Sequence, residues 1–179
     1  MNYILVTAQT LSIAAMILTI LSMQCRSTRN LFICQESAGL LFTVSFFMLG
    51  AWSGALMNFF GIIRPEILRH EKTAKSKWVL AGLILFLLLC SASAIIFFRE
   101  KWHLMLIVTV AQIAGTYGMW TRDGKLIRIF QAAGVSPLWL LYNFLLPIPS
   151  IGGILNETIC LASTCIALYR YRKIGFTQR

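Results

Sequence analysis

Six long apolar runs, with nearly every charge confined to the segments between them, constrain this chain more than any motif does; they cover residues 3–23, 31–63, 78–98, 102–120, 127–146 and 148–169. An uncharged stretch of about 20 residues reads as a membrane-crossing helix, because in hydrocarbon only a helix or a closed barrel satisfies its backbone groups. One run is too long for a single crossing. As one helix, residues 31–63 would extend about 50 Å at 1.5 Å per residue, against a hydrocarbon core of about 30 Å. The break is placed at Gly50-Ala51-Trp52-Ser53, where glycine permits the turn and tryptophan suits the membrane interface. Seven helices result.

Composition agrees, since 58% of the 179 residues are hydrophobic and 12% charged, and mean hydropathy is +0.76. No ordinary soluble domain has this balance. A net charge of +10 invites a nucleic-acid reading, but the basic residues sit in short inter-helix segments and form no continuous face. The expected surroundings are a lipid bilayer, with no nucleic acid and no cofactor; a homo-oligomer is compatible with the sequence. Topology explains the charge better. With seven helices, one side holds Arg26, Arg29, the Arg64–Lys77 stretch, Arg122, Lys125, Arg128 and the basic tail, which is 14 of the 16 Lys and Arg residues; the other side holds Arg99 and Lys101. Positive residues stay in the cytoplasm, so the N-terminus is expected outside and the C-terminus inside. The first run lacks a cleavage pattern and is read as a retained helix. The five cysteines include no CxxC pair and four fall inside spanning runs, so neither a disulfide nor a metal is expected.

The polar residues inside the apolar runs are the functional candidates, because an amide or carboxyl at membrane depth is costly unless it faces protein or a water-filled cavity. They concentrate around a Pro147-Ile148-Pro149-Ser150 turn, with Trp139, Tyr142 and Asn143 before it and Gly152, Gly153, Asn156 and Glu157 after it. On the third helix, Gly54, Met57, Asn58 and Gly61 recur at helical spacing and share a face. On the seventh, Gly152, Gly153, Asn156, Cys160, Ser163, Thr164 and Ala167 form a small, polar stripe from which Ile154, Leu155, Ile159 and Ile166 largely depart. Such stripes either line a pathway or let helices pack closely, and the spacing does not choose between these. Gln9, Gln35, Gln112 and Gln131 read as packing. Glu157 is either protonated and donating a hydrogen bond, for example to Tyr142 or Asn143, or water-lined and able to accept a proton or bind a cation. Glu36 lies near the basic inner loop and is expected to pair with Arg26 or Arg29. His70 and His103 read as solvated loop residues.

An internal repeat organises these features. Met23–Gln35 laid over Met119–Gln131 at a shift of 96 matches Met, Arg, a second base, Ile and Gln. Asn58 matches Asn156 at a shift of 98, and Ala8-Gln9 matches Ala111-Gln112 at 103. Two three-helix units separated by one helix have the same orientation, which makes the repeats parallel, as in a known transporter architecture whose site lies at the repeat interface. The expected divisions are residues 1–68, a first three-helix bundle; 69–101, a cytoplasmic loop and linker helix; and 102–179, a second bundle with a basic tail.

Phe46-Phe47-Met48-Leu49-Gly50 followed by Arg64, together with Trp139, Tyr142-Asn143, Ser150-Ile151-Gly152-Gly153 and Glu157, resembles the YgjV-type family of bacterial inner membrane proteins. Its plan is similar to that of SWEET sugar facilitators and PnuC vitamin transporters, although Ala8-Gln9 and Ala111-Gln112 stand where SWEETs carry a Pro-Gln motif. Ser45 stands where close relatives would carry histidine. The resemblance implies a multi-pass inner membrane protein working by alternating access of two three-helix bundles, with Asn58 and Asn156 lining the pathway.

No HExxH, GxSxG or phosphate-binding loop occurs, and neither histidine lies in a helix, so an enzyme is not expected. The working expectation is an all-α transporter of a small polar solute, with Asn58, Asn156, Glu157, Tyr142, Asn143, Trp52 and Trp139 as the binding set. Asn58 and Asn156 would face each other across a central cavity, with Trp52, Trp139, Tyr142, Asn143 and Glu157 nearer its outer end. The rival is a membrane scaffold or regulatory partner that transports nothing.

Overall fold

The structure, a computed structural model, describes residues 3–24, 28–69, 76–99, 101–121 and 123–174. Among these residues there are seven helices and no strands: α1 (Tyr3–Gln24), α2 (Thr28–Met48), α3 (Trp52–Arg69), α4 (Lys77–Phe98), α5 (Trp102–Thr121), α6 and α7 (Ile151–Ile174). Helix α6 is composite, running Gly124–Phe130, then a π-helical turn Gln131–Val135, then Ser136–Leu145. By length and composition α1, α4, α5 and α7 can each cross a membrane. In α2, Ile33–Met48 forms a shorter apolar stretch among the described residues. Helix α3 carries Arg64, Glu66 and Arg69 in its second half.

The long apolar run breaks where glycine permits it. Gly50 has φ of 71°, the amide of Ala51 bonds the Phe46 carbonyl at 2.9 Å, and the amide of Gly50 bonds that of Phe47 at 3.0 Å. This pair closes a helix end by satisfying carbonyls that would otherwise lack donors, and it needs a left-handed residue at Gly50. Helix α7 starts as firmly, because the Ser150 hydroxyl accepts from the amide of Gly153 at 3.2 Å. Helix α6 starts on Asp123, whose carboxylate accepts from the Lys125 amide at 2.7 Å.

Helix packing follows a closed circuit: α1 along α2, α2 along α3, α3 against α5, α5 along α6, α6 along α7, and α7 back against α1. Helix α4 lies outside it, on α3 and α5. Its buried residues Leu83, Leu87, Ser91 and Ala94 recur at helical spacing, while Leu85, Leu88, Leu89, Ile96 and Phe97 are exposed. That outward apolar face is what lipid requires. Where α1 and α7 meet, a β-carbon on Gly152 would lie 2.2 Å from the backbone of Ser12, so only glycine permits this approach. Gln9 spans the same seam, donating to the Pro149 carbonyl at 2.8 Å and accepting from the Ile151 amide at 3.0 Å.

The structure corrects the sequence reading at two boundaries, and at one of them His103, read as a loop residue, lies in the first turn of α5. The Arg64–Lys77 stretch reads in the sequence as an inter-helix segment, but α3 continues through Arg64 and Pro65 to Arg69. Proline costs the helix one hydrogen bond. The guanidinium finds partners on α5, and these hold the last turns in place.

Candidate functional site

The small and polar faces of α3 and α7 turn inward. Gly54, Met57, Gly152, Gly153, Asn156 and Cys160 are buried, whereas Phe59, Leu155, Ile159 and Ile166 are exposed. Within the helix circuit they border a cavity of about 220 Å³. Its wall draws on α2 (Gln35, Glu36, Gly39, Phe42, Phe46), α3 (Asn58, Gly61, Ile62, Arg64, Pro65), α5 (Gln112, Met119), α6 (Val135, Trp139, Asn143) and α7 (Gly153, Asn156, Glu157). In the circuit α3 and α7 stand opposite one another, which puts Asn58 and Arg64 on one wall and Asn156 and Glu157 on the other.

The α7 wall is built around a glycine. A β-carbon at Gly153 would meet Asn143 Oδ1 at 2.5 Å, so the missing side chain is what lets Asn143 lie against α7. Asn156 and Glu157 follow three and four residues later on the same helical face. Both amides have fixed orientations. Asn143 Nδ2 donates to the Trp139 carbonyl at 2.8 Å, and Asn156 Nδ2 donates to Glu157 Oε1 at 3.1 Å. Three buried oxygens are left without partners: Asn143 Oδ1, Asn156 Oδ1 and Glu157 Oε2.

The α3 wall is built around Arg64, which is 8% exposed. Its Nη1 donates to Gln112 Oε1 at 2.8 Å and to Thr116 Oγ1 at 3.2 Å, and Gln112 in turn donates to the Met57 carbonyl at 2.9 Å. The guanidinium also lies 5.9 Å from the Phe60 ring centroid. Its Nε has no partner. Its hydrogen-bond partners among the described residues are all neutral. Asn58 turns its amide back on its own helix, donating to the Gly54 carbonyl at 2.9 Å.

Of the residues expected to form the site, Asn58, Trp139, Asn143, Asn156 and Glu157 line the cavity, and Tyr142 and Trp52 do not. Tyr142 is fully buried among Phe46 and Trp139; its hydroxyl accepts from the Gly54 amide at 2.8 Å and lies 2.9 Å from Ser53 Oγ. It joins α6 to α3, and Glu157 takes its side-chain contacts from Ser136 and Asn156 instead. Trp52 packs edge-on against Phe47 and borders a separate hollow with Arg99 and Lys101. Glu36 lines the cavity, while its expected partner Arg26 and the Arg29 side chain lie outside the described residues. Gln112, read as packing, belongs to the wall, and Gln131 bonds Ser136 Oγ at 2.9 Å across the π-helical turn.

Arg64 is the residue that sequence reasoning misplaced, and a signal for it was present. The three- and four-residue spacing that links Gly54, Met57, Asn58 and Gly61 continues to Arg64 and Pro65.

Comparison with known proteins gives one match: the Imp-YgjV family model, described as bacterial inner membrane protein, aligns with residues 6–174. No curated protein and no solved structure matches the chain. The match spans every helix that lines the cavity. The chain belongs to the Imp-YgjV family of bacterial inner membrane proteins.

Proposed function

We propose that this protein crosses the membrane several times and carries a small polar solute through the cavity between its helices. One observation carries the reading: four of the buried polar side chains with an unpartnered nitrogen or oxygen, Arg64, Asn143, Asn156 and Glu157, converge on a single cavity. A stripe that served only packing would pair its amides across the helix seam. An unmade hydrogen bond at depth costs about 1–3 kcal/mol, so these atoms are best accounted for by water or solute in the cavity. The volume of 220 Å³ corresponds to roughly seven waters at liquid density, the size of a small solute.

Helix order supports two parallel halves. Replacing α1, α2 and α3 by α5, α6 and α7 turns each contact of the circuit into another contact of the circuit, with α4 left over. Both seams between the halves carry a glutamine from matching repeat positions: Gln9 from α1 to the start of α7, and Gln112 from α5 to α3. Alternating access of the SWEET kind would open and close along these seams. The 14 positive residues on one side support an outside N-terminus.

Uptake into proteoliposomes tests the reading. Asn156→Leu removes the hydrogen-bonding groups at similar size, so it is expected to abolish solute flux while the protein remains folded. If the stripe only packs, the same change costs on the order of 1 kcal/mol of stability and leaves any flux intact. That second result would favour a scaffold.

A further inference from the structure

The two walls of the cavity differ in chemistry, and the difference specifies a ligand. On the α6–α7 side the unpartnered atoms are all acceptors: Asn143 Oδ1, Asn156 Oδ1 and Glu157 Oε2. They gather within about one helical turn, since Asn143 lies over Gly153 and the other two follow it at three- and four-residue spacing. Each amide nitrogen already donates one hydrogen bond, so rotating either amide would break a bond of 2.8 or 3.1 Å. On the opposite wall the unpartnered atom is a donor, the Nε of a guanidinium whose hydrogen bonds go to neutral groups.

Neither Arg64 nor Glu157 forms an ion pair among the described residues, and the two stand on opposed helices with the cavity between them. A buried guanidinium without a counter-charge is strongly unfavourable, and a basic and an acidic side chain facing one cavity match a ligand that carries both signs. Resting on the transport reading, we infer that the solute is a small zwitterion, with a primary ammonium held by Asn143, Asn156 and Glu157 and an anionic group held by Arg64. An ammonium brings three N–H donors to three unpartnered oxygens, with a positive charge beside the carboxylate. Its carboxylate end offers Arg64 the acceptor and the charge that its present partners lack. A neutral polyol would match the oxygens and leave the guanidinium without a counter-charge. Glu36 is the other acidic residue on the wall, and it forms no ion pair with Arg64 among the described residues.

Thermal stabilisation and calorimetry on the purified full chain test this with glycine, β-alanine and 4-aminobutyrate, whose charge separation increases in steps. Glycine betaine keeps both charges but has no N–H, and glycerol is neutral. At least one amino compound is expected to bind, with betaine and glycerol at least tenfold weaker. Glu157→Gln, nearly isosteric and able to keep its contact with Asn156, is expected to weaken the ammonium ligand tenfold or more, the scale of a hydrogen bond to a charged group. Arg64→Gln should weaken binding too, but the Glu157 variant decides the matter if that protein does not fold. Equal binding of betaine or glycerol, an unaffected Glu157→Gln, or no binding by the amino series would each overturn the inference. Radiolabelled flux separates it from the transport reading. Binding of an amino compound without flux would remove transport and leave the ligand class standing; flux of a neutral solute without amine selectivity would do the reverse.

Discussion

At the scale of single residues, Gly153 and Arg64 decide what the cavity presents. Gly153→Ala puts a carbon within 2.5 Å of Asn143 Oδ1, so the amide must move away from Asn156 and Glu157. Overpacking of this kind costs about 1–3 kcal/mol, and loss of ligand stabilisation in the folded variant is expected alongside the lowered unfolding midpoint. If ligand binding survived, Asn143 would not belong to the site. Arg64→Met retains length and loses every donor, leaving Gln112 Oε1 and Thr116 without their shared partner. A loss of about 1–3 kcal/mol is expected in a denaturation series. The family resemblance included Arg64, yet charge followed by proline is an ordinary signal for the end of a helix. Its place in the wall depends on Gln112 and Thr116, which are 48 and 52 residues away, a relation that no local pattern expresses.

Among the elements, the seams around α7 are the most exacting. Gln9→Leu removes two hydrogen bonds between α1 and the start of α7, and bonds of this kind in membranes are worth about 0.6–1.7 kcal/mol each. A destabilisation of roughly 1–3 kcal/mol is therefore expected, with the cavity wall chemically unchanged. Gly152→Val should be worse, because its nearest neighbour is backbone that no rotamer change can move; a failure to accumulate folded protein is the expected readout. Most of the element plan was legible beforehand. Apolar runs gave the helices, Gly50 gave the break, and small-residue spacing gave the inward faces of α3 and α7. Less legible was α6, read as one uniform helix although a π-helical turn at Gln131–Val135 interrupts it. A π-helical turn leaves no signature in hydropathy. The place of Tyr142 off the cavity wall was equally illegible: a tyrosine near an interface looks available until its hydroxyl is seen bonded to Gly54 and Ser53.

For the molecule as a whole, the testable property is orientation. A cysteine at Lys101 is expected to react with an impermeant reagent added outside the cell, and one at Lys125 only after the membrane is opened. Labelling in the reverse pattern would invert the proposed topology, and equal labelling would remove it. The circuit of helices has a further consequence in time. Its closing seam joins α1 to α7, so Gln9 and Ser12 are synthesised about 140 residues before the Pro149, Ile151 and Gly152 groups that satisfy them. Contacts so distant in sequence form late. During insertion the earlier helices must wait in the bilayer with this edge open, and release from the insertion machinery before α7 arrives would leave α1 free to pair with a wrong helix.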